Sequence, residues 1–339
     1  MLINPKKVLI LTPFFPPNIG GVETFCENLF KELSKKYDTR VCTIDWGKQK
    51  TFKGIGLWQF LDVFPRLFTR FIIRLEAGKV DIVHAQGFNA AFIGALCKKA
   101  YRYKLYVTTH TLYDFKTKGR FFKYAAKKIL NSADKIFVEG DTVKQDILTL
   151  GIAKDKLIKY QHWCDQEVFK PKSVGRQFYN APNFNKEAQG STNTKQLVVL
   201  CAGRLNMAEK GLFIIKEVER QLQGKEIKFI YAQNIPHEDM PNYFKMVDLV
   251  VVPSLYSESF PIVVIEAASC GCAVITSNRG SLPELVKDFG VALSEPYTER
   301  IRDLLLHWQM YPFYMKEMQD KALAYAREHF SPKNAEVFL

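Results

Sequence analysis

The 339-residue sequence predicts an α/β chain built as two doubly wound, parallel-sheet domains. Three observations predict it. Short apolar runs alternate with helix-period segments, the pattern of parallel strands joined by right-handed crossover helices. The alternation stops at residues 171–196, which are rich in Asn, Gln, Ser, Lys and Pro and lack periodicity, and then restarts. The length exceeds what one core ordinarily serves, and 47% hydrophobic residues supply apolar material for two.

In the first half, Val8–Leu11, Thr39–Ile44, Ile82–His84, Leu105–Thr109 and Ile136–Val138 read as buried strands. Glu23–Lys36, Ala90–Ala100 and Arg120–Asn131 read as the helices between them. In the second half the strands are Leu197–Cys201, Lys228–Ala232, Leu249–Val252 and Ala273–Thr276. Lys210–Leu222, Pro261–Ser269 and Leu282–Lys287 read as helices or helix starts, and the chain after Thr298 reads as helical, broken near Pro312 and Pro332. The expected division is a first Rossmann-like domain over 1–170, a linker or loop over 171–196 and a second Rossmann-like domain over 197–311. Two such sheets facing each other across a central cleft suit a nucleotide, because ligands of open α/β sheets bind beyond the carboxyl ends of the strands.

The net charge of +13 is unevenly placed. Residues 1–170 hold 29 Lys/Arg against 16 Asp/Glu, whereas residues 171–339 hold 19 of each. A basic half joined to a neutral half points the first half toward something anionic: membrane lipid, nucleic acid or a phosphorylated acceptor. The seven Cys are scattered, and Cys270 and Cys272 have no second pair to complete a zinc site, so they read as reduced thiols and no metal is expected. The N-terminus lacks the apolar core and cleavage site of a signal peptide, and no run of about 18 uncharged apolar residues is present. The expectation is a cytoplasmic protein, peripheral at most on the cytoplasmic membrane face.

Three motifs carry chemistry. Gly20-Gly21 follows the first strand, where paired glycines admit a ligand to the backbone at a helix start. The pattern is not Gly-x-Gly-x-x-Gly, which argues against a dinucleotide dehydrogenase or a sugar epimerase. Gly203-Arg204-Leu205 with Lys210-Gly211 places a guanidinium and an ammonium six residues apart, able to straddle a diphosphate. The third runs from Ser257 to Ala268, after the strand Leu249–Val252 and Pro253-Ser254. Pro261 suits the first turn of a helix, whose free N–H groups would point at an anion. Helical spacing would set Glu258 and Glu266 roughly 12 Å apart, too far for the acid and base of a glycosidase. The two carboxylates better suit separate hydroxyl groups of one long ligand.

These residues resemble the glycosyltransferases of family 4, which have the GT-B fold. The matches are Gly20-Gly21-Val22-Glu23, Asp81-Ile82-Val83-His84, Gly203-Arg204-Leu205 with Lys210-Gly211, Pro236 to Pro241, Val252-Pro253-Ser254, Glu258 with Glu266, and Ser281 to Glu284, in the family's order. The resemblance implies a retaining, metal-independent hexosyltransferase that needs no cofactor beyond its donor, a UDP-sugar or GDP-sugar. It implies that Arg204 and Lys210 bind the donor diphosphate, Glu266 holds the ribose, Glu258 faces the transferred sugar and His110 lies beside that sugar. Gly20 and Gly21 would touch phosphate or sugar, Tyr231 to Ile235 would line the base pocket, and Phe260 and Ile262 would flank the donor. A C-terminal helix over about 312–339 would return to the first domain. Two departures stand out: Gln86 where the family often has His, and Phe260-Pro261 where it often has Phe-Gly. Pro261 removes a backbone donor near the sugar.

Two segments of the basic half suit an anionic membrane surface. In Leu57–Leu75, Phe60, Phe64, Leu67, Phe71 and Leu75 share a helical face flanked by Arg66, Arg70 and Arg74. Lys116, Lys118, Arg120, Lys123, Lys127 and Lys128 accompany Phe121 and Phe122. The competing reading of the first segment is a core-facing helix with solvated charges. The membrane reading implies a lipid-linked or membrane-associated acceptor; a soluble acceptor is the alternative. Neither helix-turn-helix, zinc finger nor aromatic strand platform is evident, so nucleic acid is not the expected partner, and a non-enzymatic anion binder would leave the diphosphate motifs unexplained.

Overall fold

The computed structural model describes residues 5–43, 57–171, 196–205, 207–258 and 260–339. Residues 172–195 of the expected loop, the end of the second strand past Thr43, the side chain of Phe60 and Ser259 lie outside the described residues. The chain forms two units, each with its own parallel sheet.

The first unit runs to His162 and takes in Lys333–Leu339. Its strands are β1 (Lys7–Leu11), β2 (Asp38–Cys42), β3 (Ile82–Gln86), β4 (Lys104–Thr108), β5 (Lys135–Val138) and β6 (Leu157–Lys159), in the order β2-β1-β3-β4-β5-β6. Helices α1 (Gly21–Ser34), α2 (Leu57–Glu76), α3 (Gly87–Tyr101), α4 (Arg120–Ser132) and α5 (Asp141–Leu148) connect them. The middle strand β3 is buried at every position, as expected of a parallel strand covered on both faces. Strand β6 was not apparent in the sequence: three residues at a sheet edge carry no period.

The second unit spans Trp163–Pro332. Strands β7 (Leu197–Gly203), β8 (Ile227–Gln233), β9 (Leu249–Val252), β10 (Ala273–Ser277) and β11 (Val291–Leu293) lie in the order β11-β10-β9-β7-β8. The helices are α6 (Leu212–Gln221), α7 (Met240–Met246), α8 (Ile262–Ser269), α9 (Leu282–Val286), α10 (Tyr297–Met310) and α11 (Pro312–His329). Helix α8 is apolar on all sides and almost wholly buried, the behaviour of a core helix.

Two expectations about the division are corrected. Residues 163–170 belong to the second unit: Cys164 donates its backbone N–H to the Phe330 carbonyl (3.2 Å), and Gln166 donates to the Ala326 carbonyl (2.8 Å). The C-terminal helix does not return to the first unit as a whole. Helix α11 packs on α8 and β10, its buried face made of Ala322 and Ala326, whose small side chains allow close approach. Only Lys333–Leu339 join the first unit, where the Phe338 ring packs tilted on Phe137 (centroids 4.4 Å apart) and against Phe25, His84 and Tyr160.

Candidate active site

In the second unit β7 is followed by α6, which leads to β8 on one side, whereas β9 is followed by α8, which leads to β10 on the other. The connections diverge between the carboxyl ends of β7 and β9, and that is where an open α/β sheet binds its ligand. The sequence places Arg204 one residue past β7 and Ser254, Tyr256 and Glu258 just past β9.

The two loops are tied together. Leu255 donates its N–H to the Glu209 carbonyl (2.7 Å). Gly211 has φ 72°, and a Cβ there would collide with the Pro253 carbonyl, so this close approach requires glycine. It also ends the short 3₁₀ turn Ala208–Lys210, so Lys210 precedes α6 rather than opening it as the periodicity suggested.

Lys210 does not stand apart as a solvated cation. Its Nζ donates to Glu258 Oε1 (2.7 Å) and to the Tyr256 hydroxyl (2.6 Å). Ser254 Oγ donates to the same Glu258 oxygen (2.5 Å), and the Tyr256 hydroxyl donates to Oε2 (2.9 Å). Burial, reinforced by the Glu258 charge, pushes the Tyr256 hydroxyl up, so it stays protonated; Arg204 is near enough for its charge to act the other way. Glu258 is only 8% exposed, and its backbone is gripped as well: Ser281 donates N–H to the Glu258 carbonyl (2.9 Å). Gly280, at φ 62°, leaves no room for a Cβ beside that backbone. Glu258 precedes α8 in an irregular segment, so the helical spacing to Glu266 assumed from sequence does not hold. Pro261 is the cap residue, not the first helical one.

Glu266, buried in α8, accepts from His237 Nε2 (2.6 Å), whose ring lies 5.2 Å from Phe169. A carboxylate in apolar surroundings needs such a partner. Ile262 is buried in the first turn of α8 and Phe260 is half-buried just before it. Tyr231 is not turned toward these groups. Its ring lies 3.8 Å from Lys216 Nζ and its hydroxyl donates to Glu219 (2.8 Å), both on α6, so it packs helix on sheet. Ile235, two residues past β8, is half-buried.

The first unit repeats the topology: β1 leads through α1 to β2, and β3 through α3 to β4, diverging between the ends of β1 and β3. Gly20 and Gly21 sit at the start of α1, and a Cβ on Gly20 would collide with the buried Glu23 carboxylate. His110 Nε2 lies 2.9 Å from Gln86 Oε1, and its ring packs edge-on to Phe25 at 5.0 Å. Beneath it Glu139 is buried, 3.1 Å from both His162 Nε2 and the Tyr160 hydroxyl and 3.6 Å from His110 Nδ1. Burial alone would raise the Glu139 carboxyl, but hydrogen bonds and charge from His110 and His162 hold it at about 2. Burial keeps His162 below its ordinary value. Tyr256, His237 and Glu139 were not assigned roles from sequence. Only their place just beyond a strand's carboxyl end or before a helix marks them.

The two basic segments separate. On α2, Leu67, Phe71 and Leu75 are buried in the core and Phe64 packs on it, so the apolar stripe is a core face and the membrane reading of that stripe is overturned. Arg66, Arg70 and Arg74 are exposed, with Arg70 donating to the Thr43 carbonyl (3.1 Å). On α4 the aromatics stay outside: Phe121 is 87% and Tyr124 61% exposed, beside Arg120, Lys123 and Lys127. Among the described residues no three His, Cys, Asp or Glu side chains gather as a cation site, and no helix is long and apolar enough to cross a membrane.

A family model described as Glycosyltransferase Family 4 matches residues 19–158, and one described as Glycosyl transferases group 1 matches residues 214–327. The chain is 27% identical over 340 residues to a phosphatidylinositol N-acetylglucosaminyltransferase subunit from Arabidopsis thaliana, covering 86% of this chain and 72% of that one. It is 25% identical over 255 residues to D-inositol 3-phosphate glycosyltransferase of Mycobacterium tuberculosis, covering 65% of this chain and about half (52%) of that relative. Sucrose-phosphate synthase from Thermosynechococcus elongatus superposes with a TM-score of 0.75 at 16% identity, covering 99% of this chain and 97% of that one. Anabaena HepE in complex with UDP-glucose gives 0.71 at 17%, covering 98% and 99%. The switch-point geometry, the two family matches and the shared fold agree: the chain belongs to the group 1, family 4 glycosyltransferases and is a glycosyltransferase of the GT-B type.

Proposed function

We propose that the protein moves a hexose from a UDP-sugar or GDP-sugar, with retention of anomeric configuration, onto a lipid-linked or membrane-associated acceptor at the cytoplasmic face of a membrane. The observation that carries the donor reading is the part-buried Lys210–Glu258 pair at the strand switch point, with Arg204 one residue past β7 and Glu266 on α8, the helix that follows β9. HepE, a protein of the same fold, was solved with UDP and UDP-glucose, which supports a nucleotide-sugar donor. In the reaction the bond from the anomeric carbon to the diphosphate breaks, and negative charge grows on the diphosphate. Arg204, Lys210 and the start of α8 are fixed positive groups suited to that charge. The acceptor oxygen bonds to the anomeric carbon on the face the diphosphate leaves, and its proton passes to a diphosphate oxygen. The chemistry needs no metal where these cations serve. Glu266 holds the ribose hydroxyls and Glu258 a sugar hydroxyl. Product from an anomerically pure α-linked donor is expected to show an α anomeric proton by NMR; a β product refutes retention.

The acceptor reading rests on α4. Exposed aromatics interleaved with cations match an anionic interface, the rings entering the headgroup region and the cations meeting phosphates. Phosphatidylinositol and inositol phosphate appear in the names of two relatives, which fits a phosphate-bearing acceptor. Wild-type protein is expected to sediment with vesicles containing anionic lipid and not with neutral ones. Phe121→Asp with Lys123→Glu is expected to lower the bound fraction about tenfold or more, at about 1 kcal/mol per cation near the surface. Equal sedimentation of both proteins removes α4 as the membrane face.

A further inference from the structure

We propose that Tyr256 is a positioning residue for the donor site, its hydroxyl at once accepting from the Lys210 ammonium and fixing the Glu258 carboxylate. The inference rests on the donor reading above and deepens it. Tyr256 touches both charges at once through one atom: the hydroxyl is 2.6 Å from Lys210 Nζ and 2.9 Å from Glu258 Oε2.

Donor counting gives the bonds a direction. An ammonium has three N–H donors and no acceptor, so the hydroxyl must accept from Lys210. Its own proton is then left for Glu258 Oε2, and the hydroxyl cannot rotate without losing a charged partner. Two of the three Lys210 donors are spent on Glu258 Oε1 and on Tyr256, which leaves one for a phosphate oxygen. On Glu258, Oε1 takes Ser254 and Lys210 while Oε2 takes Tyr256, which leaves Oε2 with acceptor capacity for a sugar hydroxyl. Without the hydroxyl, Lys210 can slide across both carboxylate oxygens; the N–H formerly given to Tyr256 then goes to Oε2 and consumes the acceptor meant for sugar, while one N–H remains for phosphate.

Tyr256→Phe keeps the ring and is expected to lower kcat about 10–100-fold, the range for one hydrogen bond to a charged group, with donor KM within about threefold. Adding Tyr256→Phe to Glu258→Gln is expected to cost less than about twofold more, because the hydroxyl acts through that carboxylate. A residue that merely filled space would instead lower kcat and raise KM in step with a fall in Tm, and the double variant would lose the product of the single losses.

A second readout needs no transfer. Inorganic pyrophosphate titrated calorimetrically is expected to bind wild type and Tyr256→Phe alike, since each keeps one Lys210 N–H for phosphate. Pyrophosphate binding weakened more than about threefold in Tyr256→Phe, or kcat of Tyr256→Phe within about twofold of wild type, overturns the assignment. If wild type binds pyrophosphate but turns over no nucleotide-sugar, the donor-sugar reading falls first, and the role of Tyr256 built on it falls with it.

Discussion

Arg204→Ala is expected to lower glycosyl transfer about 100–1000-fold, the usual cost of removing one preorganised group facing developing transition-state charge, while Tm changes little. Arg204 is half-buried one residue past β7, on a loop tied through the Leu255 N–H to the Glu209 carbonyl. Its loss should leave the loop in place and remove one planar donor fork from the diphosphate. Lys210 is a poorer probe. Glu258 is 8% exposed, and removing its cation strands a buried carboxylate, a change that costs roughly 3–5 kcal/mol in such pairs and would blur catalysis with folding. Arg204→Lys should fall between, since it keeps charge and loses the fork. Turnover of Arg204→Ala at the wild-type rate contradicts the charge-placement mechanism.

His84→Gln is expected to flatten the acid side of the first unit's stability profile. His84 lies in the buried run of β3, with Nε2 3.0 Å from Thr108 Oγ1. Burial, with the charges of His110 and Lys135 adding to it, holds the imidazole at about 3 against an ordinary 6.5. The folded value lies below the unfolded one. The unfolded chain therefore takes up the proton first as pH falls, and stability is lost from pH 6.5 down to about 3. At about 1.4 kcal/mol per pH unit the total is on the order of 5 kcal/mol. His162, also kept low by burial, contributes with the same sign. Glu139, held at about 2 by its two histidines, adds a loss as pH falls below the ordinary carboxylate value of 4.5. Gln at position 84 can keep the hydrogen bond to Thr108 but cannot charge. Denaturant midpoints measured from neutral pH to about pH 4 should thus fall less steeply in the variant, by about 1 kcal/mol per pH unit. Parallel profiles would mean that His84 is not the titrating group.

The two-sheet architecture was legible because its strands are of the kind that sequence reports well. Residues 249–252 and 273–277 are unbroken apolar or small runs bounded by Pro and Gly, and α8 is apolar on every side. The three-residue edge strands β6 and β11 were not legible, since half-exposed edges tolerate polar residues and carry no alternation. Helix α11 was legible as a helix but not in its destination. Its buried Ala322 and Ala326 fit α8 closely, and an alanine spacing does not say which sheet it faces. The same limit applied to α2 and α4. Both read as basic amphipathic helices, and only the packing shows that α2 buries Leu67 and Phe71 while α4 leaves Phe121 outside.

At the site, Arg204, Lys210 and Glu258 were readable because they sit past strand ends and before helix starts, where ligand chemistry concentrates, and Glu266 because it is a carboxylate inside an apolar helix. What joins them was not. Tyr256 lies in a segment without period, and its reach to both Lys210 and Glu258 depends on the loop path that Gly211 and Gly280 permit. Tyr231 was misplaced for a related reason: adjacent strand residues face opposite sides, and its ring falls on the α6 side.

The central claim is that Glu266, Arg204 and Lys210 serve one nucleotide site, and thermal shifts with UDP, GDP and ADP and their sugar conjugates test it most directly. Wild type is expected to be stabilised by one nucleotide series, by about 2.7 kcal/mol at a hundredfold excess over Kd, and Glu266→Ala to lose that shift while its ligand-free Tm remains measurable. Stabilisation by the same nucleotide in wild type and Glu266→Ala, or by none of the three in wild type, contradicts the account.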